Sequence, residues 1–317
     1  MKTLMIGLAL LLTAAPCWAQ VGDLYNADIV EKTSINDPAK ALKQADGQWL
    51  AFSIPATEGT RSPCCWSGSW STGKSSKGGE IGCRLDKRQQ SYGTRSDAPL
   101  DTNLIVYSKI DAGNVTETRL VGESCPVDGG GQRLTWIGSV DDAAGLDWLE
   151  HRVVSGDDHA ALHALAAHQN DAAGTRLYQL ARRQDDETAG QAIFWIGHAR
   201  GQQGYRMLSQ LLDELPVGET RREINFALAQ NDSPESIEKL HRISQSDKDP
   251  EQRSMAMFWL SQEFPKQAKP WLMEALESEQ DNDVLEQTIF AISQLPDGEG
   301  DALLLQVAKD ESRPRHI

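Results

Sequence analysis

Basic residues are scarce in this chain of 317 residues, where 31 Lys and Arg stand against 46 Asp and Glu, for a formal net charge of −15 at pH 7. Binding to nucleic acid through its phosphates needs Lys and Arg clustered on one face. An anionic membrane surface repels a chain of this charge for the same reason. The composition therefore excludes nucleic acid as a partner and favours a protein or peptide with a basic face.

Long apolar runs are absent after the first 20 residues. A transmembrane helix needs about 20 consecutive apolar residues, so we predict no membrane insertion. The beginning of the chain has Lys2, an apolar run over residues 4–12 and small residues up to Ala19, which is the pattern of a secretory signal. We predict a signal peptide over residues 1–19, cleaved between Ala19 and Gln20, and a periplasmic or secreted mature protein.

Cysteine is absent from the second half of the chain, and four cysteines follow the signal peptide: Cys64, Cys65, Cys83 and Cys125. An even count in an exported protein indicates two disulfides, with three possible pairings. Adjacent cysteines rarely bond to each other because the ring they form is strained. We expect Cys64 and Cys65 to reach different partners. Their spacing matches neither a redox C-x-x-C motif nor a zinc ribbon, so a thiol/disulfide redox role is kept as the alternative to a structural one.

Catalytic motifs are also missing, including G-x-S-x-G, H-E-x-x-H, a phosphate loop and a dinucleotide-binding glycine fingerprint. We therefore predict that the protein is not an enzyme and holds no cofactor and no metal. His159 and His163 are spaced as zinc ligands can be on one helix, beside Asp157 and with His168 nearby. In the repeat described below, however, His163 falls in the column of Trp195, which favours packing over zinc.

The first part of the mature chain, residues 20–140, carries strand signals. Alternating or β-branched apolar runs bounded by turn residues predict strands at 48–54, 103–110, 115–121 and 132–137. A short helix at 37–44 is predicted from its capping residue, Asn36 or Asp37. Residues 55–100 are rich in Gly, Ser, Thr and Lys, which is typical of a long surface excursion. We predict a small, disulfide-stapled, β-rich domain.

Tryptophan in this domain suggests a second alternative. Trp66 and Trp70, with Trp49 and Trp136, are candidates for an aromatic face that binds a small ligand, because Trp is enriched at recognition surfaces. A small domain also needs aromatic residues to fill its core, and the core reading is favoured for the group. Trp66 and Trp70 are kept as the candidate ligand-binding aromatics.

A period of 32 residues governs the second part of the chain, 141–317. Phe194, Phe226, Phe258 and Phe290 recur at this spacing, and Leu162 lies one period earlier. A second column, 32 residues apart in the same way, consists of Leu208, Leu240, Leu272 and Leu304. Such a period is typical of a stacked helical solenoid. We assign both columns to the repeat core and expect Phe226→Ala to cost about 3–5 kcal/mol.

The repeat predicts five two-helix units at 157–184, 185–216, 217–248, 249–280 and 281–312. The next Phe position would be 322, but the chain stops at Ile317. We therefore expect either that the last helix caps the stack or that the chain is truncated. The predicted fold class is α+β, a β-rich N-terminal domain followed by an all-α solenoid.

The segment Asp249–Leu260 resembles the first helix of a HEAT repeat, of the short kind also called phycobilisome-lyase-like. Cys64-Cys65-Trp66 and Gly82-Cys83-Arg84-Leu85 resemble a group of exported bacterial HEAT-repeat proteins with a cysteine-bearing N-terminal half. Members of that group are often encoded beside extracytoplasmic sigma factors and their anti-sigma partners. The resemblance implies a HEAT-type solenoid and a context of envelope signalling.

Solenoids bind partners along extended concave surfaces. The predicted function is therefore a non-enzymatic protein–protein interaction scaffold or adaptor in the bacterial cell envelope. We expect the second helices of the units to line the groove. The candidate groove residues, chosen by position, are Tyr178, Arg206, Lys239, His241, Trp271 and Gln306.

Overall fold

A computed structural model describes residues 22–45, 47–66, 81–87, 92–94, 97–156, 158–183 and 186–309. The signal-peptide prediction, Trp70, Asp157 and residues 310–317 lie outside the described residues. The fold is mixed α+β, with sheets in the N-terminal part and helices after them. None of the described helices combines the length and the apolar composition that crossing a membrane requires.

The described residues form ten strands. They are β1 (Asp23–Tyr25), β2 (Asp28–Glu31), β3 (Trp49–Pro55), β4 (Pro63–Cys65), β5 (Cys83–Arg84), β6 (Tyr92–Thr94), β7 (Asn103–Asp111), β8 (Asn114–Gly122), β9 (Pro126–Asp128) and β10 (Arg133–Ser139). The sequence predicted β3, β7, β8 and β10. The strands that it missed have two to four residues each.

The central sheet has five strands in the order β2-β10-β3-β7-β8. β10 runs parallel to both β2 and β3, and β7 is antiparallel to both β3 and β8. A two-residue turn joins β7 to β8 at Ala112 and Gly113, whose φ angles are +49° and +79°, as a hairpin turn of this hand requires. Two small sheets, β1-β9-β5 and β4-β6, lie beside it.

Both faces of this sheet are buried, which explains the continuous apolar run of β3. Leu50, Phe52 and Ile54 belong to the core that continues into the helices. Trp49 and Ala51, on the opposite face, pack with the four cysteines. Successive residues of a strand point to opposite faces, so β3 supplies both cores. The sheet and the solenoid therefore share one hydrophobic core.

Twelve helices are described: α1 (Pro38–Leu42), α2 (Asp142–Gly156), α3 (His159–Ala167), α4 (Asp171–Ala181), α5 (Asp186–Ala199), α6 (Gly201–Glu214), α7 (Glu219–Ala229), α8 (Pro234–Ser246), α9 (Pro250–Glu263), α10 (Pro265–Ser278), α11 (Asn282–Ser293) and α12 (Glu299–Ala308). From α3 onward they form five successive pairs. We call α3, α5, α7, α9 and α11 the first helices, and their partners α4, α6, α8, α10 and α12 the second helices.

Side-chain caps fix where several helices begin. Asp37, Asp158, Asn170, Asp249 and Asp281 each accept hydrogen bonds from backbone N–H groups in the first turn of α1, α3, α4, α9 and α11 respectively. These groups would otherwise be unsatisfied. The acidic segments at 247–249 and 281–283 thus serve helix initiation.

The first helices form the tightly packed side of the stack. Each of them packs against the next first helix, whereas among the described residues the backbones of consecutive second helices approach each other closely only for α4 and α6. Gly197 permits the approach of α5 to α7, since a Cβ atom there would lie 2.2 Å from the carbonyl oxygen of Ala227. The first helices therefore form the more closely packed row of the stack.

Candidate functional site

The phenylalanine column lies at the surface of the solenoid, which corrects its assignment to the core. Phe194, Phe226 and Phe258 are only partly buried, and Phe290 is 48% exposed. The buried stripe of α5 is formed instead by Ala189, Ala192, Ile193 and Ile196. A step of one residue turns a helix by about 100°, which moves Phe194 from the centre of this stripe to its edge.

The leucine column differs from the phenylalanine column in burial. Leu208, Leu240 and Leu272 are 0% exposed, and Leu304 is partly buried. Leu162, which precedes Phe194 by one period in the phenylalanine column, is 1% exposed and is the buried member of that column. The two columns of the 32-residue period therefore lie in different environments. The leucine column is packed inside the stack, and the four phenylalanines face solvent along the first helices.

The partly exposed rings contact one another from helix to helix. Phe194 stacks on Phe226 with ring centroids 5.7 Å apart, and Phe258 stacks on Phe290 at 6.2 Å. Trp259 joins the two pairs, 4.4 Å from Phe226 and 5.0 Å from Phe258. We call these five residues the aromatic row. It crosses α5, α7, α9 and α11.

One histidine extends the ring contacts toward the sheet. His163 of α3 stacks on Trp195 at 4.2 Å, and the Tyr92 hydroxyl lies 3.4 Å from its Nδ1 atom. Burial, together with the smaller effect of the nearby His198, lowers the pKa of His163 to about 4. His163 is therefore neutral at pH 7 and packs as an aromatic ring between β6 and the solenoid.

An acidic column accompanies the aromatic row in the same period. Glu187, Glu219, Glu251 and Asp283 each stand seven residues before a Phe of the row, in the first turn of α5, α7, α9 and α11, and all four are exposed. Seven residues are close to two helical turns, so each acid lies on the same face as its Phe, about 10 Å away along the helix. The first helices thus share one solvent-facing side, with acidic residues at the N-terminal end of each helix and aromatic residues near its middle.

A groove of about 900 Å³ crosses α7, α9 and α11 between these two features. Its apolar lining includes Met255, Phe258 and Phe290. Seven carboxylates and one guanidinium also line it, namely Glu219, Glu223, Asp249, Glu251, Asp281, Asp283, Glu286 and Arg222. We call this cavity the acidic aromatic groove.

The charges in the groove are unevenly compensated. Arg222 forms ion pairs with Asp249, at 3.0 Å, and with Glu251. Among the described residues, no cation lies within ion-pair distance of Glu223 or Glu286. Burial raises the pKa of the Glu223 carboxyl, and repulsion from Glu219 raises it further. The groove therefore holds negative charge that a bound cation would stabilise.

Repeated ion pairs hold α7 and α9 in place beneath the groove. Arg221 binds both carboxylate oxygens of Asp247 and donates to the Leu212 carbonyl. One period later, Arg253 binds both carboxylate oxygens of Glu279 and donates to the Asp247 carbonyl. Each arginine ties a first helix to the C-terminal ends of the second helices before and after it, so the spacing of these helices is fixed by charge-assisted hydrogen bonds as well as by packing.

The residues proposed for the groove from sequence lie on the second helices, away from this cavity. Arg206 is exposed, while Tyr178 and Lys239 are partly buried. His241 stacks on Trp271 with ring centroids 3.9 Å apart, joining α8 to α10. The side chain of Gln306 lies outside the described part. The structure brings only His241 and Trp271 of this set into contact.

The cysteines are paired as Cys64–Cys125 and Cys65–Cys83. The two bonds adjoin each other, with the Sγ atoms of Cys83 and Cys125 3.9 Å apart, and all four residues are buried. The sulfurs of Cys64, Cys83 and Cys125 lie within 4.8 Å of one another, but each is committed to a disulfide. The arrangement staples the β4, β5 and β9 segments together.

The remaining predicted residues are dispersed. Trp49 and Trp136 are buried, at 0% and 1% exposure, and Trp66 is partly exposed. His168 is fully buried, and its carbonyl oxygen accepts a hydrogen bond from Arg200. His159 lies in the first turn of α3. These side chains do not converge on one cavity.

A comparison with solved structures finds similarity to the complex of CpcE and CpcF of phycocyanin lyase from Nostoc sp. PCC7120. The match has 18% sequence identity and a TM-score of 0.34, and it covers 47% of this chain and 99% of that chain. No family model and no curated protein matches the chain. The helical part is a solenoid of paired helices, within a mixed α+β fold that carries two disulfides.

The prediction that the chain is not an enzyme is contradicted, since the matched structure is that of a phycocyanin lyase. The prediction rested on the absence of catalytic motifs and on the fact that most solenoids bind partners. Neither observation determines whether a chain is an enzyme, since one fold supports many activities.

Proposed function

We propose that this protein is a scaffold that binds a partner protein through the acidic aromatic groove, and that the bound part of the partner is basic. The groove is the observation that carries the proposal. Its carboxylates outnumber its single guanidinium seven to one, and opposite charges guide partners to each other and suppress wrong ones. The partly exposed ring of Phe258 and the exposed ring of Phe290 add apolar contact area and faces on which a Lys or Arg can lie.

The test is a binding titration of the purified protein with fluorescein-labelled nonalysine, followed by fluorescence anisotropy. We expect saturable binding that weakens as salt increases, because exposed charges are screened. Nonaglutamate should not bind. The double variant Glu223→Gln/Glu286→Gln should bind nonalysine about fivefold to tenfold more weakly, since it removes two uncompensated carboxylates.

The matched control is Asp213→Asn/Glu277→Gln, which removes the same charge from exposed positions on α6 and α10. It should bind nonalysine as the wild type does. Equal weakening in both double variants would show that net charge, and not the groove, attracts the peptide, and would overturn the proposal.

We also place this scaffold in the cell envelope. The secretory pattern of residues 1–19 supports export, and two disulfides suit an oxidising compartment. The resemblance to exported HEAT-repeat proteins adds a link to envelope signalling. Mass spectrometry of the protein from cell fractions is expected to find a chain beginning at Gln20 in the periplasm or medium. A full-length chain in the cytoplasm alone would contradict export.

A further inference from the structure

The acidic aromatic groove crosses its three helices instead of running along one of them. A ligand in it therefore meets α7, α9 and α11 in turn. Packed helices stand about 8–10 Å apart, so contacts made on α7 and α11 are separated by about 16–20 Å.

This spacing matches one backbone conformation. A polyproline II segment rises about 3.1 Å per residue and has three residues per turn, so the same face recurs every ~9.3 Å. A β-strand returns to the same face after about 6.6 Å. An α-helix returns to nearly the same face after seven residues, or about 10.5 Å, which is longer than the step of about 8–10 Å from one packed helix to the next.

The three helices do not offer the same chemistry. On α7, Glu223 has no cationic partner among the described residues, and the same holds for Glu286 on α11. On the middle helix α9, Glu251 is already paired with Arg222, and the surface that remains is formed by Met255 and Phe258. The two outer positions therefore suit cations, and the central one suits an apolar side chain.

We propose that the groove recognises a polyproline II segment with Lys or Arg at two positions six residues apart and an apolar residue midway between them. Six residues of this conformation span about 19 Å, which places one cation at Glu223 and the other at Glu286. The central side chain packs on Met255 and Phe258. This inference rests on the proposed function. It adds the order and spacing of the partner's residues that the groove recognises.

The experiment uses three labelled peptides of identical composition, each with two Lys and one central Leu in a Pro- and Ser-rich background. The Lys residues are four, six or eight positions apart. Anisotropy titrations at low salt should give the six-residue spacing an affinity about tenfold higher than the other two, the loss expected when one of the contacts cannot form. Replacing the central Leu with Lys should weaken binding.

Variants assign the positions. Phe258→Ala should weaken binding of the Leu peptide and leave binding of its central-Ser counterpart unchanged. The control Tyr25→Ala removes a ring that is 55% exposed, on β1 and outside the groove, and should change neither. Equal affinity for all three peptides would overturn the proposed six-residue spacing of the cations, but would not contradict the proposal that the partner is basic. Failure of these peptides and of nonalysine to bind would overturn the proposed function itself.

Discussion

Phe290 and Ile292 lie two residues apart on α11 and differ in burial, which makes them a direct test of where the surface of the solenoid runs. Phe290 is 48% exposed and Ile292 is 0% exposed. Full burial of a Phe side chain is worth about 1.5–3 kcal/mol. About half of that applies at Phe290, so Phe290→Ala should lower the free energy of unfolding by about 1 kcal/mol. Solvent fills the space that the ring leaves, and no cavity forms.

Ile292→Ala should cost about 2–5 kcal/mol, because it removes a fully buried side chain and leaves a cavity in close-packed surroundings. Phe226→Ala should fall between the two, since Phe226 is partly buried and contacts both Phe194 and Trp259. The expected loss in the free energy of unfolding for Phe226→Ala is therefore smaller than the value of about 3–5 kcal/mol predicted from the sequence for a core position.

The assay is urea-induced unfolding without reductant, followed by circular dichroism at 222 nm. A loss of about 3 kcal/mol or more for Phe290→Ala, equal to that of Ile292→Ala, would place the phenylalanine column inside the core and refute the aromatic row as a surface. The alternative result, a small loss for Phe290→Ala beside a large one for Ile292→Ala, leaves Phe290 available for binding.

Three further predictions concern stability. Replacing the pair Cys64/Cys125 with Ser should cost about 4 kcal/mol and the pair Cys65/Cys83 about 3 kcal/mol in urea unfolding, since the sequence separations are 61 and 18 residues; the reverse order would contradict the pairing. Burial opposes ionisation of Glu279, but Arg253 and backbone N–H groups outweigh it and lower its pKa. Its stabilisation, about 2 kcal/mol, is therefore full above pH of about 4.5 and lost as the pH falls through the lowered pKa, so Glu279→Gln and wild type should differ at pH 7 and converge in acid. Gly197→Ala should destabilise the folded protein by about 1–3 kcal/mol although Ala has the better helix propensity, because the added Cβ would meet the Ala227 carbonyl. The control is Gly190→Ala on the same helix, where the nearest contact of the added Cβ is Glu223 Cγ, 3.7 Å away. This control should be neutral or stabilising.

The period of 32 residues was enough to predict helix pairs, because it repeats both the apolar spacing and the capping residues that start helices. It could not tell which equivalent positions face inward. Phe194 and Ile193 are neighbours in the sequence and both apolar, yet only Ile193 is fully buried. The decision depends on how α5 meets α7, which is a contact between segments that are distant in sequence.

The missed strands have a similar cause. β1 and β2 are short and pair in parallel with β9 and β10, about 100 residues later. Nothing within three or four residues encodes such a pairing. The long apolar runs of β3 and β7, in contrast, were sufficient in themselves.

The groove did leave a signal in the sequence. Glu187, Glu219, Glu251 and Asp283 keep the same 32-residue period as the phenylalanines. A packing column has no reason to repeat a carboxylate, whereas an exposed face can. A search for charged residues in the register of the repeat would have directed attention to the first helices.

The uneven packing of the two helix rows has a mechanical consequence. A bent beam has one layer that keeps its length while the layers on either side stretch or compress. The first helices, held in mutual contact and clamped by Arg221 and Arg253, resist compression as close-packed interiors do. The loosely spaced second helices can move apart or together. The solenoid can therefore flex through changes in the spacing of its second helices. The distances between Glu223, Phe258 and Glu286, which lie on the first helices, stay constant during this motion.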